Sequence, residues 1–466
     1  MSLNSALSVA KSALGTTATR AEIVSRNISN SDTPGYVRKT AQTETLQSGG
    51  VKIASIDRRV DQMLNRLDRS NISDLAHQRQ LVDGMTAYTD ILGQPNDETS
   101  PAAYLSQFST DLAALAISPN SSAAQQSALA SAKALAGNLN AMSSVLDGVA
   151  SEVDASIVLD VGDLNAALNE VANINLAVLQ SPDGSMELTN QQDRLDRALD
   201  TIAGIMDVKI TTDSRGMTQI HSGGGTELLV NNKAATIGFD RVGGTLRAGG
   251  IEITPGATTR GFASGSLAGL FEMRDRTLPA WQADLDTIAG GLVEGTGRLA
   301  ELVPGSGMGL FTDAGNAYDP GARAGLAARI AINAVADPAR GGEVAVLHSG
   351  GDPARLSGDT SIIDGMLDAI NTPVQVDVAD GSAQRSLVSL VPSIVARQQS
   401  ERVNAETGYE RQSVSASITS SSRSNMQGVD VDEELQNLLA IQQAYAANAK
   451  IVSTASEMID SLIAAV

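Results

Sequence analysis

Residues 3–36 read LNSALSVAKSALGTTATRAEIVSRNISNSDTPGY. Apolar or small residues recur at Leu3, Leu7, Ala10, Leu14, Thr17, Ala21, Val24 and Ile28, with spacings that alternate between four and three. A repeat of 3.5 residues is the seam of a left-handed coiled coil, narrower than the stripe of an ordinary core helix. The helix is predicted to stop where Asn27, Ser29, Asn30, Ser31 and Asp32 compete for nearby backbone groups. Thr33 precedes a proline and is pushed out of helical geometry. Pro34-Gly35 suits the two central positions of a type II turn, after which Tyr36-Val37-Arg38-Lys39-Thr40 can run extended.

The other end of the chain carries a matching pattern. After Gly428, the acidic residues Asp430, Asp432, Glu433 and Glu434 load a helix start with negative charge, which the helix dipole favours. A seam is then predicted through Leu435, Leu438, Gln442, Tyr445, Ala449, Val452, Ser456, Ile459, Ile463 and Val466. Two heptad helices at opposite ends of one chain are most simply paired with each other. A seam of Leu diluted by Ala, Thr, Ser and Gln gains little: about 1.5–3 kcal/mol for each large apolar side chain buried, against about 1–2 kcal/mol of backbone entropy per ordered residue. The termini are therefore expected to order fully only on assembly.

Between the ends, helical patterns are predicted over 56–93, 100–117, 121–148, 151–180 and 188–206. Residues 208–262 alternate β-branched residues with glycine-rich turns and predict a small antiparallel β unit. Helix returns over 266–301, residues 302–322 form a glycine-rich loop, 323–384 are irregular, and helix resumes at 385. The fold is expected to be mainly α, with paired terminal helices as a coiled coil, a long helical-bundle middle domain and a small inserted antiparallel β unit. The corresponding divisions are 1–55 with 425–466 for terminal assembly, 56–207 with 263–424 for the bundle (302–384 irregular), and 208–262 for the β unit.

Composition excludes several functions. With 33 basic and 53 acidic residues among 466, the net charge is −20, opposite to a generic nucleic-acid footprint. There is no cysteine, so no disulfide, thiolate metal site or cysteine nucleophile. No apolar run is long enough to span a membrane. The first residues have neither a basic nor an apolar leader segment, so no cleaved signal peptide is expected. The three histidines, His77, His221 and His348, lie far apart and begin no zinc motif. His77 reads as a solvated helical residue, and His221 and His348 as loop residues. Neither a phosphate-binding Gly-Lys pair nor a nucleophile elbow is present. The acidic group 430–434 reads as a helix start rather than a cation site. No enzyme activity, metal or cofactor is expected.

The segment Asn27-Ile28-Ser29-Asn30-Ser31-Asp32-Thr33-Pro34-Gly35-Tyr36 resembles the signature after the first helix of bacterial flagellar rod, hook and hook-associated proteins. Gly428–Glu434, Gln442-Gln443-Ala444-Tyr445 and Ser453–Ile459 resemble their C-terminal helix. Three internal segments, Ile56–Asp61, Gln192–Leu199 and Gly265–Phe271, resemble the members of this axial family that join hook to filament. The resemblance spans about 1–301 and 385–466; the outer β domain of longer members is reduced or missing here.

The resemblance implies a structural protein that forms a ring of copies at the hook–filament junction. It also implies contacts with hook protein below and hook-associated protein 3 above, and secretion through the flagellar type III pathway. A cytoplasmic export chaperone would hold the C-terminal helix beforehand; neither membrane nor nucleic acid is implied as a partner. The assembly interface would comprise Leu3, Leu7, Leu14, Val24 and Ile28 against Leu435, Leu438, Tyr445, Val452, Ile459 and Ile463, with Asn27, Asn30, Thr33, Pro34, Gly35 and Tyr36 as the signature turn. Three other readings compete: another axial protein (hook, rod or hook-associated protein 3), an enzyme carried on axial ends, and an adhesin using the β unit.

Overall fold

The computed structural model describes residues 3–47, 49–214, 216–352, 354–356, 358–378 and 381–464. The chain opens with helix α1 (Leu3–Ser29) and the hairpin β1 (Lys39–Thr45) and β2 (Val51–Arg58). Four helices follow: α2 (Gln62–Leu92), α3 (Pro101–Ile117), α4 (Ser122–Gln180) and α5 (Met186–Ile205). A β region contains β3 (Val208–Thr212), β4 (Thr218–Ser222), β5 (Glu227–Val230), β6 (Lys233–Ala234), β7 (Ile237–Asp240), β8 (Thr245–Ala248) and β9 (Ile251–Glu252). Helix α6 (Ser266–Glu272) passes through a π turn, Met273–Thr277, into α7 (Leu278–Leu299). Short elements come next: β10 (Phe311–Asp313), α8 (Leu326–Arg329), β11 (Ile330–Ile332), α9 (Val346–Ser349), α10 (Ser361–Asn371), β12 (Val374–Val378) and β13 (Gly381–Arg385). The long helices α11 (Leu387–Gln427) and α12 (Val431–Ala464) complete the described chain.

Helix starts are set by short polar side chains. Asp61 Oδ1 accepts the Met63 and Leu64 amides, Ser100 Oγ accepts that of Ala103, Ser185 Oγ that of Leu188, and Asp430 Oδ1 those of Asp432 and Glu433. Each satisfies donors that a helix N-terminus leaves free. The β region is two antiparallel sheets, ordered β3-β4-β5-β6 and β7-β8-β9.

Two compact units emerge: residues 1–77, 158–268 and 410–466 form one, and residues 78–157 and 269–409 the other. The cuts fall inside α2, α4, α6 and α11, not in loops, so continuous helices carry the chain through both. In the first unit, Leu164, Leu168, Val171 and Ile174 of α4 are buried with Ile202, Ile220 and Leu229. In the second, Phe108 of α3 meets Phe311 edge-on at 5.4 Å. There, too, the lone Trp281 lies 5.1 Å from Tyr88 and donates its indole N–H to Glu401 at 2.7 Å.

Three local expectations are corrected. Residues 56–58 belong to β2, because the Ile56 amide donates to Gly184 O at 2.8 Å and Asp61 caps the helix only from 62. The patterns over 121–148 and 151–180 are one helix of 59 residues. Ser151 at the join returns its hydroxyl to Asp147 O, while buried Leu146, Val149, Val153 and Ile157 keep the apolar stripe continuous. Neither His221 nor His348 is a loop residue: His221 lies in β4, paired with Lys209, and His348 is buried in the short α9.

Because the only tryptophan lies in the second unit, its fluorescence isolates that unit's unfolding. Phe108→Ala should lower its stability by about 3–5 kcal/mol. Urea titration of Trp281 emission checks this; an unchanged midpoint would remove Phe108 from the core.

Candidate assembly interface

The signature turn folds around one amide. The buried Asn27 side chain donates to Lys39 O at 2.9 Å, and its Oδ1 accepts the Lys39 amide at 3.2 Å and the Tyr36 hydroxyl at 3.0 Å. It thus pairs with β1 as a neighbouring strand would and ties the end of α1 to the hairpin. The Tyr36 amide donates to Thr33 O, with Gly35 at φ +75° in the third position of the turn. The Asn30 amide group donates to Arg26 O, and its Oδ1 accepts the Thr33 hydroxyl. Burial, with the negative Asp193 nearby, pushes the Tyr36 phenol up to about 12.

Arg38, two residues further on, joins the two ends of the chain. Its Nε donates to Glu434 at 2.6 Å, and its outer nitrogens to Glu433 at 3.0 and 2.8 Å. Its backbone amide donates to Gln427 O at 2.9 Å, and the Gln427 side chain donates to Asn65 at 2.9 Å. Burial alone would lower the Arg38 pKa, but the hydrogen bonds to Glu433 and Glu434 outweigh it and raise it. The first turn of α12 is thereby held beside the end of α1, and the two helices pack side by side, antiparallel.

The structure places the expected seam residues as follows. On α1, Ala10, Thr17 and Val24 are buried, Leu7, Leu14 and Ile28 are half-buried, and the Leu3 side chain lies outside the described ones. A second face of α1 is also covered: the Thr16 hydroxyl donates to Val51 O and Ser12 Oγ accepts the Val51 amide, so the helix rests on β2 as well. On α12, Leu438, Val452 and Ile459 are half-buried, whereas Leu435, Tyr445 and Ile463 are 45%, 49% and 69% exposed. Val466 lies outside the described residues.

The buried positions of α12 are Glu434, Ile441 and Ala455, with Asn448 half-buried between them. That series falls one residue before the expected 435, 442, 449 and 456. Arg38 draws Glu434 inward, and a heptad step from there leads to Ile441, Asn448 and Ala455. Two of these four seam positions are polar, so the inward row of α12 is less apolar than the row beside it. The outward side of α12 keeps Leu435, Leu439, Tyr445, Ile451, Met458 and Ile463 in solvent.

A buried ion ladder braces the same unit. Asp193 binds Lys39 at 2.9 Å and Arg58 at 2.8 Å; Asp196 binds Arg58 at 2.5 Å and Arg69 at 2.8 Å. Asp200 binds Arg69 at 2.7 Å and Arg423 at 2.9 Å, and Arg423 reaches Asp68 at 2.8 Å. Sequence reasoning missed this ladder, although the three aspartates lie three and four residues apart on one face of α5, a spacing readable in the sequence. Burial would raise the Asp196 carboxyl, but Arg58 and Arg69 overcome that and hold it below the usual carboxylate range. Among the described residues, no group of three or more His, Asp or Glu is placed to hold a metal ion.

Two outcomes follow from this geometry. Arg38→Ala leaves Glu434 buried without its cation and should destabilise α12 docking by about 3–5 kcal/mol. Adding Glu434→Ala should cost less than the sum of the two single changes, as read by hydrogen exchange of α12; strict additivity would mean the pair is uncoupled. Because Asp196 is depressed in the folded state, its contribution is present above the ordinary Asp pKa and is lost as pH falls below about 4. Hydrogen exchange in α5 should therefore quicken on acidification, and Asp196→Asn should flatten that dependence.

Three family models match the chain, all flagellar. "Flagella basal body rod protein" matches residues 7–36, "Flagellar hook-associated protein FlgK helical domain" residues 85–301, and "Flagellar basal body rod FlgEFG protein C-terminal" residues 420–465. The first and last coincide with α1 with its turn and with α12. A curated relative, flagellar hook-associated protein 1 of Bacillus subtilis (strain 168), is 22% identical over 506 residues, covering 98% of this chain and 96% of that protein. A solved structure, the flagellar hook junction protein FlgK from Burkholderia pseudomallei, is 21% identical with a TM-score of 0.45, covering 53% of this chain and 46% of that one. Matched at both ends by axial rod models and through its middle by the helical-domain model of hook-associated protein FlgK, the chain is similar along its length to flagellar hook-associated protein 1.

Proposed function

We propose that this chain is a structural, non-enzymatic subunit of the bacterial flagellum, whose copies form a ring joining hook to filament. The observation that carries the reading is the closure of the chain on itself: α1 and α12 lie side by side, locked by Arg38, with a row of apolar side chains left facing outward on α12. A pair of amphipathic helices finished in this way covers its remaining face only against other helices. In the ring, Leu7, Leu14, Val24 and Ile28 hold α1 to α12, while Leu435, Tyr445 and Ile463 pack against neighbouring copies as coiled-coil-like contacts. The ring contacts hook protein on one side and hook-associated protein 3 on the other. Before secretion through the flagellar type III pathway, an export chaperone shields α12, whose outward apolar row would otherwise promote aggregation.

A strain lacking the protein should build hooks and shed filament protein into the medium, and the wild-type chain should restore attachment. Failure to shed would favour a different axial position. Leu7→Asp and Ile459→Asp should abolish attachment through loss of the helix pair. Tyr445→Asp, at an exposed site, should leave monomer stability within about 0.5 kcal/mol of wild type yet still release filaments. Full motility of all three variants would overturn the assignment of these helices to assembly.

A further inference from the structure

Lys39 opens β1, and its side chain is only 2% exposed. Both of its backbone groups are held by the Asn27 side chain, so the base of this side chain is fixed. Its Nζ donates to Asn190 Oδ1 at 2.6 Å and lies 2.9 Å from Asp193 Oδ2. Asn190 and Asp193 stand three residues apart on one face of α5, so a single amine meets a carboxamide and a carboxylate together. The centre of the Tyr36 ring is 4.9 Å from Nζ and closes another side of the amine. Arg58 Nε, 2.8 Å from the second oxygen of the buried Asp193, holds that carboxylate in place. All of these residues belong to one unit.

Lysine ammonium groups are almost always left in water. Lys52 and Lys133, which also form ion pairs, are 53% and 41% exposed, and each meets a carboxylate alone. Lys39 differs in two respects: it is buried, and its shortest polar contact is to a neutral carboxamide. An ion pair with Asp193 needs no carboxamide. An amine held immobile against an amide carbonyl, with a base touching the amine and water kept away, is arranged for nucleophilic attack on that carbonyl.

We propose that Lys39 and Asn190 become joined by an intramolecular isopeptide bond. Nζ attacks Cγ of Asn190; the Nζ–Cγ bond forms and the Cγ–Nδ2 bond breaks. Asp193 carries two protons, one at a time, from Nζ to Nδ2 and ends as it began, a carboxylate. An ammonium and a carboxamide thus become a secondary amide and a free ammonium ion, with atoms and charge conserved and no oxidant or other reactant consumed. Asn190 is half-buried, which gives the ammonium ion a way out. Asp193 is the base, and Arg58 and Asn27 act as positioning residues, one on the carboxylate and one on the backbone that bears the amine. The bond ties the strand that follows the signature turn to α5. Tension on the hairpin beside Arg38 is then borne by a covalent link as well as by the ion ladder.

Mass spectrometry of the full-length chain, purified and also recovered from assembled flagella, tests this. The folded wild-type protein should weigh about 17 Da less than its sequence requires, the mass of one ammonia. Proteolysis should yield a branched peptide that contains both Lys39 and Asn190. Lys39→Arg and Asn190→Ala should each show the full mass expected of their sequences. Asn190→Ala changes a half-buried side chain and carries the test if the arginine variant misfolds. Asp193→Asn, which keeps the shape of the side chain but removes the base, should also keep its full mass. An unreduced mass for the folded wild-type chain, or a 17 Da deficit that persists in folded Asn190→Ala, would overturn the proposal.

Discussion

The buried ion pair between Arg38 and Glu434 joins residues 396 positions apart, and the arrangement of the terminal helices depends on it. Such a pair adds little net stability, because desolvating both charges offsets their attraction. Its value lies in specification. A charge at one seam position is costly in every register but the one that meets its partner. With Glu434 drawn in, α12 is rotated so that Ile441, Asn448 and Ala455 follow it toward α1, and Leu435 and Tyr445 are left outside. One guanidinium therefore decides both which side chains close the monomer and which remain in solvent.

Much of this is legible in the sequence, and the parts that are not share a cause. The two heptads, the break after Ile28 and the glycine-bearing turn at Thr33–Tyr36 are local, and local propensity fixes them. The phase of α12 is not legible: Leu435 is more apolar than Glu434, so a hydrophobic reading selects the wrong neighbour when the true seam begins with a charge and continues through an asparagine. The partners of Asp193, Asp196 and Asp200 come from β1, β2, α2 and α11, and no spacing rule connects them. The same holds for the asparagine clamps. Asn27 pairs with both backbone groups of Lys39, Asn175 with those of Thr218, and Asn165 with those of Ile237. In the sequence Asn165 and Asn175 are unremarked polar residues in a helix and Asn27 reads only as part of the signature turn; in space each supplies the strand partner that an exposed ladder lacks.

Two buried aspartates show how the number of cations, rather than burial alone, sets the direction in which a carboxyl is shifted. Asp196 is shared between Arg58 and Arg69 and is held below the usual range. Asp284, in the other unit, is buried too, but one arginine, Arg397, with Gln398, faces it while Glu401 stands nearby, so burial prevails and its carboxyl is raised. The first is a structural anion throughout the neutral range. Ionising the second costs more in the fold than in the unfolded chain, because burial outweighs the attraction of Arg397.

The composition fits the same division of labour. In the terminal pair much of the buried seam is small, with Ala10, Thr17 and Ala455, which let backbones approach closely but release little free energy per contact. In a terminal pair built from such residues the polar lock sets the register and the hairpin beneath α1 adds a second contact, while the seam contributes modestly. Large apolar side chains on α12 are placed instead on the outward face, where they gain only when another helix covers them. The excess of carboxylates, a net charge of −20, repels separate copies over most of their surface and leaves the exposed apolar side chains of α12 as an interruption of that charge.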